Sequence, residues 1–326
     1  MSYSKNIYLL AQSKIEKRRK DAEEALEMRR ADAYIKIPEL TEIQSRIALL
    51  GAEAVSAISK GADGPAYIEK LAKESLSAQS ERRQLLKAAG LPEDYLEAHY
   101  TCSICEDTGV TDNGICNCQR ELLTETAKDE IEKYAPLRRS TFDSYSLKYY
   151  PEETDASGVS PKKRMGEIAQ FCKDYALDFS LESPSLFMHG ATGLGKTHLS
   201  LAIANEAIAR GYGVVYGSAP NMFSQLEREH FGRQYNNERT YEQELLETDL
   251  LIIDDLGVEF STQFTVSCVY NIINSRILSR KPTIISTNLT PRELEDKYTQ
   301  RITSRIIGGF VSLRFIGRDI RQIKSY

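Results

Sequence analysis

The stretch Gly190-Ala191-Thr192-Gly193-Leu194-Gly195-Lys196-Thr197 satisfies G-x-x-x-x-G-K-[ST]. Its glycines let the backbone aim N–H groups at phosphate oxygens, Lys196 reaches the terminal phosphates, and the Thr197 hydroxyl is placed to ligate Mg²⁺. The motif works only between a strand and a helix. The apolar "PSLFMHG" precedes it, and a helical pattern beginning at His198, "HLSLAIANEAI", continues it. A second element, "TDLLIIDDLG", delivers Asp254 and Asp255 to the carboxyl end of a buried strand, the edge where open α/β sheets bind ligands. Asp254 is the expected Mg²⁺ partner, and Asp255 stands where a carboxylate polarises an attacking water. Paired acids at a strand end also serve as plain turn formers. A third run, "PTIISTN", brings Asn288 to the same edge, where its amide is placed to hold the water.

Downstream, "TPRELEDKY" opens a helix with Thr290 and Glu293 as a capping box and Pro291 at its first position. "QRITSRI" then sets Arg301 and Arg305 four apart on one helical face. They are either surface residues or a source of the positive charge that phosphoryl transfer needs beside the γ-phosphate.

Four of the six cysteines lie between Cys102 and Cys118, as Cys102-x-x-Cys105 and Cys116-x-Cys118 around the turn-forming "EDTGVTDNG". Two short pairs suit tetrahedral Zn²⁺, and a closed shell of four thiolates makes such a site structural. A redox dithiol and an iron–sulfur cluster are the alternatives. Cys172 and Cys268 fall in helical patterns and are expected to be buried.

These residues need elements to hold them. From about Ser180 onward, apolar runs ("PSLFMHG", "YGVVYG", "DLLIIDD", "PTIISTN") alternate with amphipathic helices, which predicts an α/β fold whose parallel sheet is covered on both faces. The first third is helical. Ser4 to Ile35 contains no glycine or proline, with Tyr8, Ala11, Ile15, Ala22, Leu26 and Ala33 on one face; Pro38 stops it. A second helix is expected to close at Gly51, and a third to span Leu71 to Ala89. The expected domains are a helical arm (1–97), a cysteine knuckle (98–122), a linker (123–158) and a nucleotide-binding domain (159–326). The arm has little core of its own, so it is either a solvated extension or a partner-binding module; a structural metal supplies on the order of 10 kcal/mol to so small a unit.

Composition bounds the rest. Of 326 residues, 41% are hydrophobic and 27% charged, which excludes a disordered chain. No apolar run approaches the length that crosses a bilayer, and no signal-peptide pattern opens the chain, so a cytoplasmic location without membrane association is expected. The net charge of −5 confines any nucleic-acid contact to a local patch.

Taken in order, the phosphate loop, the Asp-Asp-Leu-Gly and Ser-Thr-Asn strand ends, the R-x-x-x-R helix and a late arginine in "GRDIRQIK" resemble the AAA+ ATPases of the DnaC/DnaI/IstB group over roughly Leu137 to Tyr326. The resemblance implies ATP as ligand and a hydrolysing site. It also implies that Asn288 is similar to the sensor-1 residue, Arg305 to an arginine finger serving a neighbour's nucleotide, and Arg321 to the sensor-2 arginine, with Arg301 and Arg318 as second choices. Many AAA+ enzymes carry Asp-Glu where this chain has Asp254-Asp255, which suits a slow switch. The resemblance further implies a loader of the replicative helicase that binds its partner through the arm, binds single-stranded DNA and assembles with its own copies; a transposition-helper ATPase and an ATP-binding adaptor with little turnover are the rivals. The insertion after the second strand offers Phe223, Phe231, Arg228, Arg233 and Tyr235 to such a DNA strand.

Overall fold

Helix α1 (Lys5–Lys36) fills the stretch free of glycine and proline in the computed structural model of the chain, which describes residues 3–59, 65–154, 158–232 and 240–324. The chain forms two compact units, Met1–Ala11 with Arg120–Tyr326, and Gln12–Gln119. These change over at 11/12 and 119/120, whereas composition suggested 97, 122 and 158.

In the unit 12–119, α2 (Glu39–Ser59) and α3 (Pro65–Ala88) pack against each other. The expected stop at Gly51 does not occur. A Cβ there would meet open space, and a glycine inside a helix costs only about 1 kcal/mol, which the following Ala-rich turns overcome. Ala33, Ile37, Leu40, Leu86 and Leu96 form a small buried cluster, flanked by Tyr34, Leu85, Leu91 and Tyr95. The strands β1 (Val110–Thr111) and β2 (Gly114–Ile115) then form a two-residue antiparallel ribbon between the cysteine pairs, and α4 (Asn117–Glu132) follows.

The unit containing 120–326 is built on β3 (Ser185–His189), β4 (Val214–Ser218), β5 (Leu250–Asp254), β6 (Thr283–Thr287) and β7 (Phe310–Arg314). They form a sheet in the order β4-β5-β6-β3-β7, parallel throughout. Every position of β5 and β6 is buried, as central strands between two helical layers require. β7 is absent from the sequence reading. Only Phe310 and Leu313 of "FVSLR" are buried, so this edge strand lacks the continuous apolar run that marks the other four.

Helices α5 (Pro161–Leu177), α6 (Lys196–Ala209), α7 (Ala219–Phe231), α8 (Tyr241–Glu247) and α9 (Gln263–Leu278) cover the sheet with α10 (Pro291–Tyr298), α11 (Gln300–Gly309) and α12 (Ile320–Lys324). α10 begins with the expected capping box and Pro291 in its first turn. Segment 137–150, read as linker, packs on α6: the Asn205 amide donates to the carbonyls of Leu137 (2.7 Å) and Ser140 (3.0 Å). Tyr3 is buried in this same unit, its hydroxyl donating to Ile208 O at 3.1 Å. No described helix is long and apolar enough to cross a membrane.

Candidate nucleotide site and cysteine cluster

The phosphate loop is a chain of left-handed turns. Gly190, Gly193 and Gly195 have φ of 143°, 70° and 86°, so a side chain at any of them is strained, and a Cβ on Gly190 would lie 2.4 Å from Phe315 O. β3 supplies the strand before the loop and α6 the helix after it, so the N-terminus of α6 faces the cleft.

Lys196 is 5% exposed. Its Nζ donates to Gly190 O (2.6 Å), Ala191 O (2.7 Å) and Asn288 Oδ1 (2.6 Å). Burial pulls its pKa down to about 8, against the opposing pull of Asp255 and Asp254. Thr197 Oγ1 donates to Asp254 at 2.9 Å, and the same carboxylate accepts from Tyr216 (2.9 Å) and Ser286. Asp255 lies one residue beyond β5 with φ 54°, and burial together with the Asp254 charge raises its pKa. Arg321 joins from α12, its guanidinium paired with Asp319 at 3.3 Å. Asp319 in turn seats against Gly193, where a Cβ would come within 1.8 Å of Oδ1.

Together, Thr192, Gly193, Leu194, Gly195, Lys196, Thr197, His198, Asp255, Asn288 and Arg321 line one cleft of about 320 Å³. The sequence reading did not anticipate its other wall. Ser144, Tyr145, Ser146 and Tyr149 come from the segment read as linker, and Ile320 from α12. Tyr150 donates to Leu194 O (2.9 Å) and pairs with the Tyr145 hydroxyl (2.7 Å), so this wall is fastened to the loop itself. His198 Nε2 faces Thr141 O at 2.9 Å and Ser144 Oγ at 3.2 Å. Aromatic residues in "FDSYSLKYY" were a usable signal, but nothing in their spacing says that they turn back onto the loop.

Arg305 does not line this cleft. Its guanidinium donates to Asn274 Oδ1 (2.8 Å) and to the Tyr270 hydroxyl (3.1 Å) and lies over the Tyr270 ring. Arg301 and Arg318 are exposed. Of the residues offered to a DNA strand, Phe223 is a correction: it is 4% exposed and packs in the core of the sheet domain. Phe231 is 67% exposed beside His230 and Phe264, and Arg228 is exposed, while Arg233 and Tyr235 lie outside the described residues.

In the other unit, the Sγ atoms of Cys102, Cys105, Cys116 and Cys118 all lie within 4.8 Å of one another. Cys102–Cys116 and Cys105–Cys118 are separated by 3.8 and 3.4 Å, close to the edge of about 3.8 Å that a tetrahedron of ~2.3 Å Zn–S bonds demands. Gly109 N–H points at Cys105 Sγ (3.4 Å), and the buried Asp107 carboxylate accepts from the backbone of Thr101 (2.7 Å) and Cys102 (3.0 Å). The four sulfurs fit one tetrahedral metal ion. Cys172 is buried as expected, and Cys268 only half-buried.

Residues 164–307 match the family described as IstB-like ATP binding protein. The chain is 36% identical over 132 residues to the chromosomal replication initiator protein DnaA of Aquifex aeolicus (strain VF5), covering 40% of this chain and 32% of that protein. It is 28% identical over 134 residues to the replicative helicase loader DnaC of Escherichia coli (strain K12), covering 41% of this chain and 54% of that protein. The matches therefore span between about a third and about half of those relatives' own length. A crystal structure of the DnaC helicase loader superposes with a TM-score of 0.45 at 20% identity, covering 57% of this chain and 99% of that one. The C-terminal part of the chain, with its phosphate loop, acidic strand end and five-stranded parallel sheet, is similar to the AAA+ ATP-binding domains of the DnaC/DnaI/IstB group.

Proposed function

We propose that the chain is a cytoplasmic, ATP-controlled loader that places a replicative DNA helicase on single-stranded DNA. The observation that carries the ATP switch is the set of contacts joining Lys196 to Asn288 and Thr197 to Asp254, because it gathers the phosphate loop and two strand ends at one edge of the sheet. Lys196 and the loop amides bind the phosphates, Asn288 and Asp255 orient the attacking water, and Asp255 takes up its proton. Arg321 reaches the phosphates from α12, while Arg305 serves the nucleotide of a neighbouring copy. Thr197 and Asp254 would hold Mg²⁺, which when bound neutralises charge on the phosphates. The four cysteines hold one Zn²⁺ as a structural ion of the helical unit, which presents the helicase-binding surface. Support for a loader comes from the likeness to DnaC and from that separate helical unit.

A second reading, a transposition-helper ATPase, has its own support in the IstB-like family match. One experiment separates the two. The full chain with Mg·ATP is mixed with the replicative helicase of its source organism and a labelled single strand. The loader reading requires a ternary complex whose helicase unwinds a forked duplex only when ATP and this chain are present. No association with the helicase, alongside association with a transposase, establishes the second reading instead.

A further inference from the structure

Three consecutive residues at the end of β6 each reach a different part of the site. Asn288 accepts from Lys196, and the Thr287 hydroxyl donates to Leu256 O at 2.5 Å. Ser286, fully buried, does two things at once: its Oγ accepts the Asp255 N–H at 3.0 Å and donates to Asp254 Oδ1. The register explains why. β5 and β6 pair through Ile253 and Ile285, so Ser286 comes level with Asp254 where the ladder ends. Past that point Asp255 turns into the left-handed region, φ 54°, and its N–H leaves the ladder. Leu256 N takes the Ser286 carbonyl at 2.8 Å, which leaves the Ser286 hydroxyl as the partner of the Asp255 amide.

A non-glycine residue at positive φ persists only where its surroundings over-determine it. Here the surroundings are one hydroxyl group and two short strand ends. The same hydroxyl sets the rotation of the Asp254 carboxylate, whose other oxygen accepts from Tyr216 (2.9 Å) and Thr197 (2.9 Å).

We propose that Ser286 is the positioning residue for both acids: it holds Asp255 in the backbone conformation that aims its carboxylate into the cleft and fixes Asp254 opposite Thr197. Tyr216 is its lesser counterpart, acting on Asp254 alone. Ser286 itself is fully buried and does not line the cleft. The inference rests on the ATPase reading above for its turnover arm, and on the geometry alone for its metal-binding arm.

The test uses Ser286→Ala, Ser286→Thr and Tyr216→Phe in the full chain, with thermal melting to establish that each folds. Binding of a fluorescent ATP analogue without metal reports the phosphate loop. Mn²⁺ binding in the presence of a non-hydrolysable ATP analogue, followed by electron paramagnetic resonance, reports the acids independently of turnover. Ser286→Ala is expected to bind the metal-free nucleotide as the wild type does, to weaken Mn²⁺ binding and to lower kcat, each by about 10- to 100-fold, the usual cost of losing a group that orients a metal ligand. Ser286→Thr, which keeps the hydroxyl, is expected to recover most of both. Tyr216→Phe is expected to weaken Mn²⁺ binding more than it lowers kcat, because Asp255 is untouched. Wild-type Mn²⁺ affinity in folded Ser286→Ala overturns the proposal, as does a nucleotide affinity that falls in parallel with kcat. If the wild type itself turns over no ATP, the ATPase reading fails, and the Mn²⁺ series still decides for or against Ser286.

Discussion

Replacing Lys196 by methionine should abolish ATP binding and yet leave the protein without ligand more stable. Lys196 as a whole residue is 5% exposed, and burial has moved its pKa from 10.5 to about 8. At ~1.4 kcal/mol per tenfold change in proton affinity, keeping the group charged at neutral pH costs the folded state about 3 kcal/mol. Methionine removes that cost. It leaves Gly190 O, Ala191 O and Asn288 Oδ1 without the ammonium, but Ala191 is exposed, Gly190 is half-buried and Asn288 lines the cleft, so the loss is about 1 kcal/mol. The difference, about 2 kcal/mol, raises the melting temperature of a unit this size by ~4–8 °C. In the wild type, Mg·ATP at ~100 times its Kd adds about 2.7 kcal/mol; in Lys196→Met that increment should vanish. The pH dependence has a definite sign. Because the folded-state pKa of this lysine is depressed, its penalty is complete below pH 8 and disappears as pH rises from about 8 toward 10.5, so the two melting curves should converge over that window. Differential scanning fluorimetry with and without Mg·ATP, from pH 7 to 10, measures all of this. A melting temperature for Lys196→Met below that of the wild type at pH 7 refutes the buried-charge argument, and a surviving ATP shift refutes the phosphate-site assignment.

Freshly purified, reduced protein should carry one zinc per chain by metal analysis, and Cys102→Ser with Cys105→Ser should release it and increase hydrogen exchange across the unit 12–119, whose own buried cluster is small. Gly190→Ala, which sets a Cβ 2.4 Å from Phe315 O, should destabilise the chain by about 2 kcal/mol or more in urea melts and lose nucleotide binding. Arg305→Ala should keep ATP affinity and lose turnover, and mixing it with Lys196→Met subunits should restore part of the rate; normal hydrolysis by Arg305→Ala alone removes the finger assignment.

What the sequence made legible were contacts near in chain or fixed by a motif. The loop from Gly190 to Thr197 declares its own backbone shape, and the runs "LLIID" and "TIIST" are apolar because parallel neighbours bury both faces. The Thr290 capping box was readable because both partners lie within one turn. Contacts set by tertiary return were not readable. Tyr145 and Tyr150 reach the loop across about fifty residues of chain, and a sequence of loop character gives no sign of it. Phe223 was misjudged because an aromatic residue on an amphipathic helix looks the same whether it faces the sheet or a ligand. Ser286 passed unnoticed two residues before Asn288, since only the strand register shows which acid its hydroxyl meets.

The division of the chain bears on how its parts can be exchanged. Residues 3–11 belong with 120–324 rather than with the helices that follow them, and Tyr3 is anchored there on Ile208. In topological terms the stretch 12–119 is therefore an insertion with two covalent tethers, α1 and α4, rather than a leading appendage with one. A cassette swap meant to retarget the protein should be cut at 11/12 and 119/120, so that the recipient keeps its own first turns. A truncation at residue 98 instead takes away the Tyr3 anchor along with the helices, and any loss of stability in the unit containing the phosphate loop would be misread as dependence on a partner-binding arm.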